Sequence, residues 1–325
     1  MPARSTNLGP SDSPSPAAGR AHPLRGYLFI AVAAVFWGAS ATFGKAVFNG
    51  SLFPGQPLIS PLVLTQTRTT ISFVILALFL LLRGGREAFR INSLDLGRCL
   101  LVGTLGLGGS AFFYYLAIQQ ATVAIAITVQ YTAPVWVLTY MALRGRERAT
   151  GQRVAAVLLA LAGVALTRLF YSDVHLGAYG VAAALLAAIC LSFYTVAGKE
   201  LVARHHQFKV LGYALLGPTL FWLVANPPWR LAAQHLSPGQ WVFLFLFACF
   251  SMLLPFACYF TGLKYLDPTR AVVTCCLEPV FAILLAVMFV HETVRPIQII
   301  GIVAVLAATV MVQLQGREEV MLQHE

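Results

Sequence analysis

Apolar runs near 20 residues long recur from residue 25 to residue 315, separated by short polar connections. Each is long enough to cross roughly 30 Å of hydrocarbon as a helix. The pattern predicts ten spans, at 25–47, 61–82, 96–118, 123–143, 152–170, 176–198, 208–226, 240–262, 269–290 and 296–315. The connection between the third and fourth is barely IQQAT, and no stretch leaves room for a separate soluble domain. The expected fold is an all-α polytopic membrane protein. Residues 1–24 are rich in Pro, Ser, Ala and Gly and are expected to be a disordered cytoplasmic tail, with no signal-peptide pattern. Residues 25–170 and 176–315 form two five-span units, and 316–325 a second cytoplasmic tail.

Composition agrees with that pattern: 58% of residues are hydrophobic, 10% charged, and mean hydropathy is +0.77. Soluble chains usually carry about 25% charge. The net charge of +10 would suit nucleic acid, but its placement argues against that partner. With both termini in the cytoplasm, 17 of the 22 Lys and Arg fall on or beside the cytoplasmic face, as at Arg83, Arg86, Arg90 and Arg98 and at Arg144, Arg146, Arg148 and Arg153. Only Arg168, Arg230 and Arg295 fall outside, while Lys45 and Arg68 lie within spans. That bias is the positive-inside rule. Trp229 and Trp241 bracket an outer connection as interfacial aromatics, and the basic patches face anionic lipid headgroups.

The chain repeats itself. Residues 114–147 align with 259–292 at a constant offset of 145, so that Tyr114 meets Tyr259, Pro134 meets Pro279 and Glu147 meets Glu292. Gly44-Lys45 meets Gly198-Lys199 at an offset of 154. Five spans per unit is odd, so the second unit enters the membrane inverted, the arrangement of many secondary transporters. Lys45 and Lys199 are expected to snorkel to headgroups. Spans three and eight carry matched helix-weakening residues, Gly108 and Gly109 in one and Pro255 in the other, as kink or gating positions together with Pro134 and Pro279.

Glu278 stands about 13 Å into span nine, near the midplane. A charge there costs roughly 2.5–3.5 kcal/mol on insertion scales, so the acid needs a wet cavity, a partner or a proton. Its counterpart in the first unit is Ala133, so the units are not equivalent. Other polar and aromatic groups at similar depths are Arg68 and Gln66 in span two, Trp37 and Ser40 in span one, Gln130 and Tyr131 in span four, and Tyr194 in span six. Tyr114 and Tyr259 lie nearer the ends of spans three and eight. Together they predict an aromatic-walled polar cavity for a small zwitterion or cation, with Arg68 fixing a substrate carboxylate or Glu278.

Rival classes lack their residues. No HExxH, GxSxG or nucleotide loop occurs, and the one histidine pair, His205-His206, sits in a loop without a carboxylate and reads as a solvated basic turn. An enzyme is therefore not expected, nor any metal or cofactor. The six cysteines read as small apolar packers. A channel needs rings or filters rather than one acid.

FWGASATFGK in span one, TQTRTTISF in span two, YYLAIQQATVAIAITVQYTAPV, and above all LEPVFA followed by a HE pair before the last span resemble the EamA-like transporters of the drug/metabolite transporter superfamily. The likeness spans roughly residues 25–315. It implies ten helices in two inverted repeats around a central cavity, and movement of small solutes such as amino acids, amines, nucleosides or drugs. The expected function is alternating-access efflux of an amino acid or amine across the cytoplasmic membrane, with protons as coupling ion at Glu278. Uptake or facilitated passage of a small cation or nucleoside is the alternative, and a non-transporting sensor or scaffold the remote one. Expected partners are the substrate, membrane lipids and protons, in a monomer or homodimer.

Overall fold

The computed structural model describes residues 23–48, 52–120, 123–168, 178–290 and 294–321. The ends of the chain, residues 169–177, and the HE pair at 291–292 lie outside them, as do the side chains of Lys45 and Tyr115. Helix covers the predicted spans wherever they are described, but for Asn226 at one end and two short breaks. Span one is α1 (Pro23–Phe48) and span two α2 (Pro61–Gly84). Span three runs as α3 (Ser93–Leu101), a π-helical segment (Val102–Gly108) and α4 (Gly109–Gln120). Span four is two helices, α5 (Val123–Gln130) and α6 (Ala133–Leu143). Then come α7 (Gly151–Arg168), α8 (Ala178–Arg204), α9 (Gln207–Ala225) and a short α10 (Pro228–Ala232). Span eight is α11 (Pro238–Ala248), a π-helical segment (Cys249–Leu253) and α12 (Leu254–Tyr265); span nine is α13 (Pro268–Cys275) and α14 (Glu278–Val290); α15 is Pro296–Met321. Among the described residues, eight helical stretches are long and apolar enough to cross a bilayer, and α7 is a shorter apolar helix. This is an all-α polytopic membrane protein.

Local sequence starts these helices where the polar connections end. Ser60 accepts a hydrogen bond from Val63 N with Pro61 at the first helical position, Asn92 accepts from Asp95 N at 2.7 Å, and Ser237 forms a capping box with Gln240. In lipid no water satisfies the free N–H groups of a helix start, so such caps matter.

Small residues bring the helices together, because lipid gives no hydrophobic drive for association. α7 and α15 run antiparallel: a Cβ built on Gly163 would sit 2.7 Å from the carbonyl oxygen of Gly301, and one on Gly301 equally close to that of Gly163. Ala156 and Ala308 are fully buried in the same cluster. A Cβ on Gly103 would lie 1.9 Å from Ala214 O, which locks span three against α9. Gly108 meets Pro218 and Gly109 meets Cys190 at contact distances. At the positions expected to kink, Gly108, Gly109 and Pro255, the helices carry π-helical segments, which end at Gly108 and, one residue before α12 begins, at Leu253. Pro255 lies in the first turn of α12. With no N–H of its own it leaves the preceding turn short of a donor, and π-bulges favour functional sites.

Candidate functional site

Spans four and nine break at equivalent places. Residues 131–132 separate α5 from α6, and 276–277 separate α13 from α14, an offset of 145. The bonding matches at the second residue of each break. Thr132 N donates to Val129 O at 3.0 Å and Leu277 N to Thr274 O at 3.1 Å, each reaching three residues back instead of four. The cause is Pro134 and Pro279, the second residues of α6 and α14, which have no N–H to continue the ladder. Broken helices of this kind expose backbone dipoles and line binding sites in transporters.

Glu278 opens α14, where the helix dipole favours an anion. The Tyr131 hydroxyl, on the other break, donates to Glu278 Oε2 at 2.7 Å. Both residues are partly exposed. α1 covers its other side. A Cβ on Gly38 would lie 3.0 Å from Glu278 O and 2.8 Å from Ala282 N, so only glycine lets α1 approach the first turn of α14 so closely. One residue away, Trp37 packs edge-on to Phe256 at 5.1 Å and against Tyr259 at 5.7 Å. Tyr259 stacks on Tyr194 at 5.6 Å, and its hydroxyl shares a 2.7 Å hydrogen bond with Thr195 Oγ1.

The predicted residues therefore separate into groups. Tyr131 and Glu278 meet directly, with Trp37 on the adjoining helix. Ser40 donates to Trp37 O at 2.9 Å, bonding its own helix. Tyr194 and Tyr259 are each 1% exposed and pack ring on ring inside the core, so they buttress Trp37 instead of lining open space. Gln130 donates to Ser110 Oγ at 3.0 Å and Ser110 to Ala187 O at 3.2 Å, tying α5 to α4 and α8. Tyr114 packs beside Ala117, Ala126 and Ala183. Gln66 donates to Asn226 O at 2.7 Å and accepts from the Asn226 amide, which closes the end of α9. Arg68 shares a helix face with Leu64, which packs against Leu244 and Phe247, and with Ser72, which donates to Ala248 O at 3.1 Å. Its Nε is buried with no hydrogen-bond partner, and no ion pair to Glu278 forms among the described contacts.

Two expectations change. Lys199, expected at the headgroups, turns to backbone: its Nζ donates to Leu263 O at 2.6 Å and Lys264 O at 3.2 Å, at the carbonyl end of α12. His205 is not a solvated turn residue. Its Nε2 lies 2.8 Å from Asp95 Oδ2, and Asn92 and Arg98 donate to the same carboxylate at 2.9 and 3.0 Å. The carboxylate comes from the start of α3, out of reach of a reading confined to the VARHHQFK loop.

The sequence reading also missed a bridge between the halves. Glu147, in the α6–α7 loop, accepts from Thr269 N at 3.4 Å and lies 3.4 Å from Arg153 Nη1. Asp267, before α13, lies 3.9 Å from Arg153 and 3.6 Å from Arg270. Glu147, Arg153, Thr269 and Arg270 are all buried. Burial, with the like charge of Asp267, pushes the Glu147 carboxyl above the usual carboxylate range despite Thr269 and Arg153.

A pocket of about 500 Å³ opens between α3, α6 and α8. It touches neither Glu278, Tyr131 nor Trp37 and is separate from the site around them.

The family model described as the EamA-like transporter family matches the chain twice, over residues 24–169 and 178–314. The chain is 24% identical over 304 residues to the "Uncharacterized inner membrane transporter YicL" of Salmonella typhimurium, covering 90% of this chain and 96% of that one. It is 28% identical over 298 residues to the "Threonine/homoserine exporter RhtA" of Escherichia coli K12, covering 90% and 92%. A crystal structure with 22% identity superposes with a TM-score of 0.72 over 90% of this chain and 98% of its own, a likeness of fold.

Proposed function

The chain belongs to the EamA-like transporter family, and from that premise we propose that it exports a small amino acid in exchange for protons. As a member it is a secondary transporter of small metabolites and not an enzyme. In the proposed architecture the eight long apolar stretches, α7 and the α5–α6 pair make ten spans. They form two inverted five-span repeats in the cytoplasmic membrane, both termini inside. The equal spacing of the two breaks and the arginine bias support it.

The observation that carries the mechanism is the Tyr131–Glu278 hydrogen bond between the two broken spans. An acid inside a span marks a pathway by default, and this one, at a helix start, accepts from a tyrosine hydroxyl of the other broken span. A proton on Glu278 and a substrate ammonium compete for the same oxygen. Protonation frees the ammonium, and deprotonation restores its site. Each exchange biases a two-state equilibrium that needs only a few kcal/mol to shift. Trp37 adds an aromatic face for the ammonium. Arg68, with its unpartnered Nε, is proposed to hold the carboxylate as the cavity closes. The name of the 28%-identical threonine/homoserine exporter supports a small amino acid and outward movement.

Flux in proteoliposomes tests this. Wild type is expected to move threonine-sized amino acids uphill when a pH gradient is imposed. Glu278→Gln keeps exchange but loses the response to the gradient. An equal response in both proteins removes Glu278 as the coupling site.

A further inference from the structure

We propose that the groove between α3, α6 and α8 binds an anionic glycerophospholipid, its phosphate at the charged end and one acyl chain along α8. The groove lies on the side of α8 away from α12. Tyr194, Thr195 and Lys199 point from α8 to α12, whereas Ile189, Phe193, Val196 and Ala197 form the groove floor. α3 contributes Leu101 and Val102 to one wall, and α6 contributes Trp136, Val137 and Tyr140 to the other. Toward its other end, Ser192 Oγ lies 2.7 Å from Ala188 O and 3.2 Å from Ala133 O of α6. From Ile189 to Arg204 the floor runs about 22 Å along the helix, more than half of the roughly 30 Å hydrocarbon core. The volume of about 500 Å³ falls within the roughly 300–1,000 Å³ of ligand pockets.

Charge selects the occupant. Every charged lining residue, Arg98, Glu200 and Arg204, sits at one end, and the rest of the lining is uncharged and mostly apolar, with Ser192, Trp136 and Tyr140 adding polar atoms. Arg146 pairs with Glu200 there, and Arg98 and Arg204 share Asp95 at 3.0 and 3.6 Å. Arg144 lies over the Tyr140 ring at 5.5 Å, so four arginines face two carboxylates, one of which also holds His205. The excess is positive, the complement of an anionic phosphodiester. The side chains of Arg98 and Arg204 remain about half exposed, at 47% and 56%, with donors to spare for a bidentate phosphate contact. Trp136 and Tyr140, each 41% exposed, offer ring faces to the chain. Basic pockets between spans at the cytoplasmic side bind such headgroups, so the proposal rests on the orientation given above.

The test uses detergent-purified, delipidated full chain, with thermal unfolding and native mass spectrometry in micelles containing phosphatidylglycerol or phosphatidylcholine. Wild type is expected to retain phosphatidylglycerol and unfold at higher temperature with it than with phosphatidylcholine. Arg98→Gln with Arg204→Gln should weaken phosphatidylglycerol binding at least ~10-fold, on the scale of one charge-assisted hydrogen bond. Ala197→Trp fills the floor without touching a charge, and should lose lipid retention while keeping its helical circular dichroism. Equal binding of the two lipids by wild type, or full retention by Ala197→Trp, overturns the proposal. So does protection of a cysteine at position 197 by free amino acid but not by phosphatidylglycerol, which would make the groove a solute route. No transport is measured, so failure here leaves the exporter reading standing.

Discussion

Tyr131 and Glu278 occupy positions that the internal repeat does not pair with each other. At the offset of 145, Tyr131 corresponds to Cys276 and Glu278 to Ala133. The hydrogen bond between them, 2.7 Å long, therefore has no symmetric twin, because Cys276 and Ala133 cannot form one. Two breaks at equivalent places in the repeat thus share an asymmetric side-chain contact. The backbone breaks keep the repeat's spacing, while the side chains place one carboxyl between them.

That contact predicts a non-additive pair. Tyr131→Phe removes one hydroxyl from a half-buried site and should cost about 0.5–1.5 kcal/mol of stability at most. Its effect on uphill transport should be larger, a several-fold drop at constant exchange. Adding it to Glu278→Gln should change little, since the carboxylate it serves is gone. Flux from all four proteins under one pH gradient checks this, and additive losses would mean that the two residues act separately.

The helices were legible in the sequence because lipid demands long apolar runs, and Glu278 because a lone acid inside one is costly. Its partner was not. Which residue of span four reaches span nine depends on helix rotation, and neither hydropathy nor spacing reports that. The breaks were half legible, since Pro134 and Pro279 mark them but Tyr131-Thr132 and Cys276-Leu277 carry no glycine or other turn residue. Pairing Arg68 with Glu278 by depth alone ignored that α2 packs on α9 and α11. The Asp95–His205 contact spans 110 residues and three connections, so no local motif could reveal it.

For Arg68 the expectation concerns substrate affinity. Arg68→Lys keeps the charge but loses the planar fork that grips a carboxylate. It should raise KM for a zwitterionic amino acid about 10-fold while sparing the matching amine, which has no carboxylate to lose. Competition of amino acid and amine for uptake into inverted vesicles measures both. Unchanged KM values would return Arg68 to a structural role against α11.

Glu147 predicts a pH dependence of stability. Its carboxyl is held above the ordinary value of 4.5 by burial and by Asp267, so the folded protein binds this proton more tightly than the unfolded chain. With more protons bound when folded, stability falls as pH rises from the ordinary value toward the raised one. Glu147→Gln keeps the size and an acceptor for Thr269 N but cannot ionise. Its unfolding temperature should be flatter than wild type across that window, and the curves should converge at its acid end. Parallel curves across the window would show that Glu147 stays charged throughout.

The proposed inversion of the halves makes opposite demands on two connections. His235, after α10, lies in an exposed stretch, and Arg148, after α6, in another. If both termini face the cytoplasm, an odd number of spans separates each connection from the first tail in one case and an even number in the other. Span four ends before Arg148, so that loop is cytoplasmic; span seven ends before His235, so that loop is outside. Single cysteines placed at these positions in a chain freed of its six native ones should react differently with a membrane-impermeant maleimide. His235→Cys should label in intact cells and Arg148→Cys only after permeabilisation. Because three of the six native cysteines are buried, two of them at the break of span nine, substrate exchange by the cysteine-free chain must be measured first. Both positions labelling from one side would break the inverted repeat, and with it the premise that one acid is presented in turn to opposite faces.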